Sequence, residues 1–318
     1  MSASTQAPDQ LAPPRAEEVS EDIYAYIQPD GTWWINNTGF IVGASRVAAV
    51  DACATEARTR GLLAAISATA GGRPVRTLVN THHHGDHTHG NYLFGDATIV
   101  AHERCREEIL AEGPPGTSKL VGSGTWTDVD WGDIRTAPPF LTYTDRVTLY
   151  VGELACEVIH VGTPAHSTND SIVWIPERRL LFAGDLLFNG GTPFLLAGSV
   201  TGALSAVAAL RDLGAETIVP GHGPVCGPEV VDAVLAYLTF VLDLAKAGYA
   251  GGLRPLQAAL EADLGDFAAL TDPERLAGNL HRAYAELAGA APGARIDTAA
   301  ALADMIAYNG GRPLTCRA

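Results

Sequence analysis

The sequence predicts an α/β domain followed by a helical extension. Two observations carry that expectation: short β-branched runs alternate with helical patterns as far as Cys226, and from Pro228 onward only helical periodicity remains. A length of 318 residues suits one large domain or two smaller ones. The expected divisions are a disordered tail over 1–22, a catalytic domain over 23–226 and a helical extension over 227–318.

Taken in order, residues 23–27, 33–36, 39–42 and 47–50 read as strands of an antiparallel meander, broken by Pro29, Gly31 and Gly43. The Ala- and Leu-rich stretch 55–70 reads as a helix that Gly71, Gly72 and Pro74 end, and 75–79 is expected to be a buried strand. Strand 98–101 and helix 102–111 follow. A Gly- and Pro-rich loop then spans 112–133, a length that in a compact domain usually marks function or mobility. Strands are expected at 146–150, 155–161, 171–175 and 180–183, a helix near 202–213 and a last strand at 217–219. The extension reads as helices near 230–247, 255–262, 273–287 and 298–308.

Composition narrows the partners. Asp and Glu outnumber Lys and Arg by 36 to 21, and the net charge of −15 repels phosphate backbones and anionic headgroups, so neither nucleic acid nor a membrane surface is expected. The longest nearly apolar stretch, 233–242, is about half of the ~20 residues a bilayer span needs. The first residues lack the basic start and apolar stretch of a secretory signal. Five cysteines, Cys53, Cys105, Cys156, Cys226 and Cys316, form no CxxC pair, and that odd count suits reduced thiols. A cytoplasmic setting is expected.

The chemistry concentrates after the strand at 75–79. Thr81 to His87 reads T-H-H-H-G-D-H, which puts four metal-ligand side chains, His82, His84, Asp86 and His87, on one tight loop. Alternation turns His82 and His84 to the same side while Asp86 and His87 aim elsewhere, so two neighbouring cations fit better than one. Gly85 is expected to permit the bend between the pairs. Further candidates end later strands: His166 in G-T-P-A-H-S, Asp185 in F-A-G-D and His222 in V-P-G-H-G. Imidazoles and carboxylates without thiolates suit zinc, manganese or iron. His83, His89, His102, His160 and His281 match no ligand position, although His83 and His89 are near enough to support ligands.

The ordered set His-x-His-x-Asp-His, then His, Asp and His, each in its Gly/Pro context, resembles the metallo-β-lactamase superfamily over about 23–226. The resemblance implies an αββα sandwich with the site at one edge. It also implies that His82, His84 and His166 hold a first metal, that Asp86, His87 and His222 hold a second, and that Asp185 bridges them. Two zinc ions are expected, with Mn or Fe as alternatives. Asp86 and Asp185 are the carboxylates expected at the reaction centre.

Several branches are set aside on residues. The best-known zinc β-lactamases carry Cys where Asp185 stands, the flavodiiron proteins carry Glu where His84 stands, and the nucleases need a cationic surface. The segments W-T-D-V-D-W-G-D-I, G-G-T-P-F-L-L-A-G-S-V, G-H-G-P-V-C-G-P-E-V and A-Y-N-G-G, with the helical tail, resemble zinc-dependent aromatic polyketide cyclases that also act as thioesterases. That resemblance implies aldol closure of a second ring on a polyketide thioester, free or held by an acyl carrier protein. The alternatives are a glyoxalase II-like thioesterase or lactonase and a non-catalytic sensor. Phe188, Pro193 and Phe194 are expected near the pocket, with the extension as its lid or a mere cap. Trp126, Trp131 and Phe140 read as core more readily than as pocket.

Overall fold

In the computed structural model, which describes residues 11–115 and 125–318, the alternation of apolar residues resolves into two sheets. One has seven strands in sequence order: β1 (Arg15–Ser20), β2 (Ile23–Ile27), β3 (Thr38–Val42), β4 (Val47–Val50), β5 (Val75–Val79), β6 (Thr98–His102) and β7 (Leu141–Tyr143). The other runs β12 (Thr217–His222), β11 (Leu180–Phe188), β10 (Ser171–Ile175), β9 (Leu154–His160), β8 (Arg146–Val151). The meander β1 to β4 is antiparallel; β4, β5, β6 and β7 are parallel neighbours, as are β11 and β12.

Because successive strand side chains point to opposite faces, each strand feeds two cores. Ile23, Ala25 and Ile27 of β2 meet Val173, Leu180, Phe182 and Val219 between the sheets. Phe40, Val47 and Leu78 face outward onto α1 (Glu56–Thr69), which presents Leu62 and Ile66. On the far side, Leu181, Ala183 and Leu187 of β11 pack under α4 (Val200–Ala209) and α5 (Glu229–Ala250). Helix, sheet, sheet, helix is therefore the layer order. Fully burying one such Leu or Ile stabilises by about 1.5–3 kcal/mol, so the inner core holds the sheets face to face and the outer two hold the helices against them.

The remaining helices are α2 (Gly85–Thr88), α3 (Glu103–Glu112), α6 (Pro255–Glu261), α7 (Arg275–Leu287) and α8 (Thr298–Tyr308). α7 packs against α5, and Leu276, Leu280 and Ala283 join the same core as α4 and α5.

Two expectations need correction. Part of the 1–22 tail is ordered, since Arg15–Ser20 pairs with β2 and caps the sheet edge. Residues 33–36 are not a strand: Trp34 takes φ +67°, and Arg58 holds the turn through Trp34 O at 2.7 Å and Asn36 O at 3.2 Å. The two tryptophans are turned toward a cavity instead of along a sheet. Of the long loop, 116–124 lie outside the described residues, as do 1–10. Among the described residues no helix is long and apolar enough to cross a membrane.

Candidate metal centre

Parallel pairing brings the carboxyl ends of β4 and β5 side by side, and the histidine loop leaves β5 there. His82, His84 and His87 then lie on the turn and on the short α2. His166 comes from the loop between β9 and β10. Asp185 lies within β11, not at its end as expected, because that strand continues to Phe188. His222 is the last residue of β12.

All seven predicted donors converge, in two groups: His82, His84, His166 and Asp185, and Asp86, His87, Asp185 and His222. In the first, His84 Nδ1 lies 3.1 Å from His82 Nε2 and 2.7 Å from His166 Nε2. In the second, His222 Nε2 is 3.3 Å from Asp86 Oδ2, and His87 Nε2 is 3.7 Å from it. Asp185 belongs to both, with Oδ2 3.3 Å from His166 and His222 and Oδ1 3.0 Å from His87 Nε2.

Two glycines make room for that carboxylate. Gly184, at φ +52°, shifts the β11–β12 register beside it, and a Cβ on Gly221 would stand 1.9 Å from Asp185 Oδ1. Gly85 has another role than the expected bend. It opens α2 at an ordinary φ, and its missing Cβ leaves space for the ring of half-buried His89, 2.2 Å from where that atom would be.

The ring nitrogens turned away from each centre are held by groups the sequence did not reveal. Asp51, just after β4, accepts from His87 Nδ1 at 2.9 Å and from Thr81 N and Oγ1, each at 2.8 Å. Thr81 Oγ1 is also 3.1 Å from His82 Nδ1. Phe194 O receives His166 Nδ1 at 2.5 Å, and Gly31 O receives His222 Nδ1 at 3.0 Å. Such partners set tautomer and ring direction. For Asp51 a signal existed in the sequence: a carboxylate directly after the buried run V-A-A-V. The two carbonyls had none.

The groups differ in charge. Burial, joined by neighbouring imidazoles, keeps His82 and His84 well below the ordinary histidine range. Burial opposes charge on His87 and His222 too, but Asp185 and Asp86 outweigh it, raising His87 and pushing His222 up to about 9. Burial would also neutralise Asp86 and Asp185, yet the surrounding imidazoles hold both carboxyls well below the usual carboxylate range.

The residues fit a metal. Three imidazole nitrogens crowd together with no anion of their own except Asp185, and the buried His87 Nε2 and Asp185 Oδ1, 3.0 Å apart, have no well-aligned hydrogen bond. Leaving such groups unsatisfied is costly, and a cation between them removes the cost.

A cavity of about 560 Å³ opens on both groups. Trp33, Trp34, Phe188, Phe194 and Leu196 line it, and the extension contributes Arg275, Arg282, Ile296 and Leu302. Phe188 stacks on His222 with ring centroids 5.0 Å apart. Phe188 and Phe194 thus stand where expected. Trp126 is core, and Phe140 is neither core nor pocket, being 86% exposed. Trp33 and Trp34, read as strand residues, are the cavity's indoles. His83 and His89 support the loop without facing the donor atoms: His83 meets Asn169 and Glu112, and His89 meets Ala54 O.

An αββα sandwich with paired His and Asp groups at one edge is the architecture of a metal-binding domain. The sequence model of the metallo-beta-lactamase superfamily matches residues 31–222, and the chain belongs to that superfamily. Among curated relatives it is 28% identical over 185 residues to the 2,4-dinitroanisole O-demethylase subunit alpha of Nocardioides sp., covering 57% of this chain and 51% of the other. It is 31% identical over 153 residues to the hydroxyacylglutathione hydrolase of Rhodospirillum rubrum, covering 46% and 48%. The chain thus spans about half the length of these relatives. A metallo-beta-lactamase from Pontibacter korlensis superposes with a TM-score of 0.59 at 18% identity, over 71% of this chain and 99% of that one, which is a likeness of fold.

Proposed function

We propose that the protein is a metal-dependent hydrolase acting on thioesters of small molecules. The observation that carries this reading is the joining of two His/Asp groups to one cavity of about 560 Å³ with aromatic walls. Similarity to a hydroxyacylglutathione hydrolase supports the thioester as the bond attacked. His82, His84 and His166 would hold one zinc, Asp86, His87 and His222 the other, and Asp185 both. Bound zinc supplies hydroxide near neutral pH and polarises a carbonyl.

The chain's own groups do the remainder. Trp33, Trp34 and Phe194 receive the acyl portion and keep bulk water from it. Asp86, which lies on the cavity wall beside His87 and His222, would accept the proton that the attacking water gives up. The five free cysteines support a reducing, cytoplasmic setting.

Ring closure on a polyketide thioester, free or carrier-bound, is the second reading. It is favoured by the extension, which lies beyond the matched residues 31–222 and still walls the cavity with Ile296 and Leu302. A shaped wall can hold a flexible oligoketide in one reactive conformer.

One assay separates the readings. Zinc-loaded protein is offered glutathione and coenzyme A thioesters, acyl-homoserine lactones and a monocyclic polyketide thioester mimic, with thiol release and product mass followed together. Thiol release from the thioesters at least tenfold faster than lactone opening is expected. Equal or preferred lactone cleavage would overturn the thioesterase reading, and a bicyclic product from the mimic would move the assignment to the cyclase.

A further inference from the structure

The extension does more than wall the cavity, because one face of α7 grips the segment that orients a metal ligand. Residues 192–196 follow β11 and belong to no helix or sheet, so their backbone groups need partners from elsewhere. On α7, Arg275, Asn279, Arg282 and Glu286 recur at steps of four, three and four, which places them on one face. Three of them are fully buried.

The carbonyls of 192–196 can be followed one by one. Thr192 O accepts from Arg275 Nη1 at 3.0 Å, and Pro193 O accepts from Asn279 Nδ2 at 2.8 Å. Leu195 O accepts from Gly198 N at 2.9 Å, and Leu196 O accepts from Arg282 Nε at 3.1 Å and Nη2 at 2.5 Å. Leu195 N donates to Asn279 Oδ1 at 2.9 Å. The carbonyl between them, Phe194 O, faces His166 Nδ1. Glu286 continues the grip at Val200 N and Thr201 N.

Asn279 is the centre of this arrangement. Its amide takes the carbonyl before Phe194 and the N–H after it, so both peptide planes flanking Phe194 are oriented by one buried side chain. Phe194 O and Leu195 N–H belong to one planar peptide, so holding that N–H and the preceding carbonyl leaves Phe194 O pointing at the His166 ring. A ring held at Nδ1 presents Nε2 to the metal in the neutral, ligating tautomer.

We infer that α7 of the C-terminal extension is part of the metal centre, with Asn279 a positioning residue that acts on the His82, His84 and His166 group through Phe194 O. In the second group the outer ring nitrogens are held elsewhere, that of His87 by Asp51 and that of His222 by Gly31 O, and α7 reaches it only through Arg275 over the Phe188 ring that stacks on His222. The inference goes beyond the proposed substrate and holds for a hydrolase or a cyclase alike.

The test is the affinity of each zinc ion, measured by competition with a chromophoric chelator, in wild type, Asn279→Ala and Leu280→Ala. Leu280 is fully buried on the same helix and touches none of the polar contacts described, so its truncation reports what loosening α7 does by itself. Loss of a ligand-orienting partner typically weakens metal binding about 10–100-fold. Asn279→Ala is expected to weaken one ion by that factor and the other less than about threefold, with Leu280→Ala leaving the ratio of the two unchanged. Should Asn279→Ala not fold, Asn279→Asp keeps the acceptor for Leu195 N and removes the donor to Pro193 O, and is expected to show the same selectivity at smaller size. In a His166→Ala background the Asn279 substitution should add no further loss. Equal weakening of both ions, the same selective loss in Leu280→Ala, or full additivity with His166→Ala would overturn the inference. Wild-type protein that takes up no zinc would overturn the metal centre itself, a different result from these.

Discussion

The two halves of the metal centre use similar side chains and solve different electrostatic problems. His82, His84 and His166 form a group with no carboxylate of its own, and burial leaves His82 and His84 neutral and ready to ligate. Asp86, His87 and His222 form a group in which carboxylates keep two imidazoles protonated until a cation replaces the protons. The first is pre-set by geometry, the second by charge. Asp185 joins them, and so its removal should do most damage.

Asp185→Ala is expected to lower turnover roughly a hundred- to a thousandfold, the range typical of losing a major electrostatic group in an active site. Elemental analysis should show that neither group keeps full occupancy. A folded variant with one group fully loaded would mean that the carboxylate does not serve both.

Asp51→Asn should strike the second group harder than the first, because Asp51 bonds His87 directly and His82 only through Thr81. Asp51 fixes His87 and Thr81 together, and its loss is expected to weaken one ion about 10–100-fold. Paired with Asn279→Ala, it makes a reciprocal test: the two variants should weaken different ions. If both weaken the same ion, the halves are not separately supported.

pH should separate the halves more gently. In metal-free protein the raised pKa of His222 means its ion pairs with Asp86 and Asp185 stabilise the fold fully below the ordinary value of 6.5, and the contribution is lost as pH rises through about 9. A metal needs the neutral ring, so affinity of the second group should rise over that interval while that of the first changes little. Chelator competition at several pH values would check this, and equal slopes for both ions would break the contrast.

The smallest effect is expected at His83→Ala. His83 lies between two ligands in sequence, yet its ring meets Asn169 and Glu112, not the donor atoms. Metal content should stay unchanged and turnover should fall only a few-fold, as for a loop support. A loss comparable to that of Asp185→Ala would place His83 in the chemistry.

How much of this was legible depended on distance along the chain. Most strands from Val75–Val79 to Thr217–His222 and the four helices of the extension follow the hydrophobic pattern, because period and Gly/Pro punctuation are local properties, but Leu141–Tyr143 was missed and β11 runs to Phe188, beyond the 180–183 expected. β1 was missed since a half-exposed edge strand carries Arg and Glu in place of an apolar run. Residues 33–36 misled for the opposite reason: Trp-Trp-Ile has strand propensity, but hydrogen bonds from Arg58 and the docking of Asn37 on Pro220 O and Gly223 O hold a turn.

By itself the sequence determined which side chains can bind a metal and in what order they arrive, because residue identity and strand punctuation are written locally. The fold decided what those side chains do. Asp51 reaches His87 across 36 residues, and Gly31 O reaches His222 across 191. Asn279 reaches Leu195 N, beside the carbonyl that holds His166, across 84. No local pattern encodes such pairings. They exist because two sheets packed face to face bring the ends of distant strands to one edge, and because the segment 192–196, without a sheet partner of its own, had to satisfy its backbone on a helix from the extension.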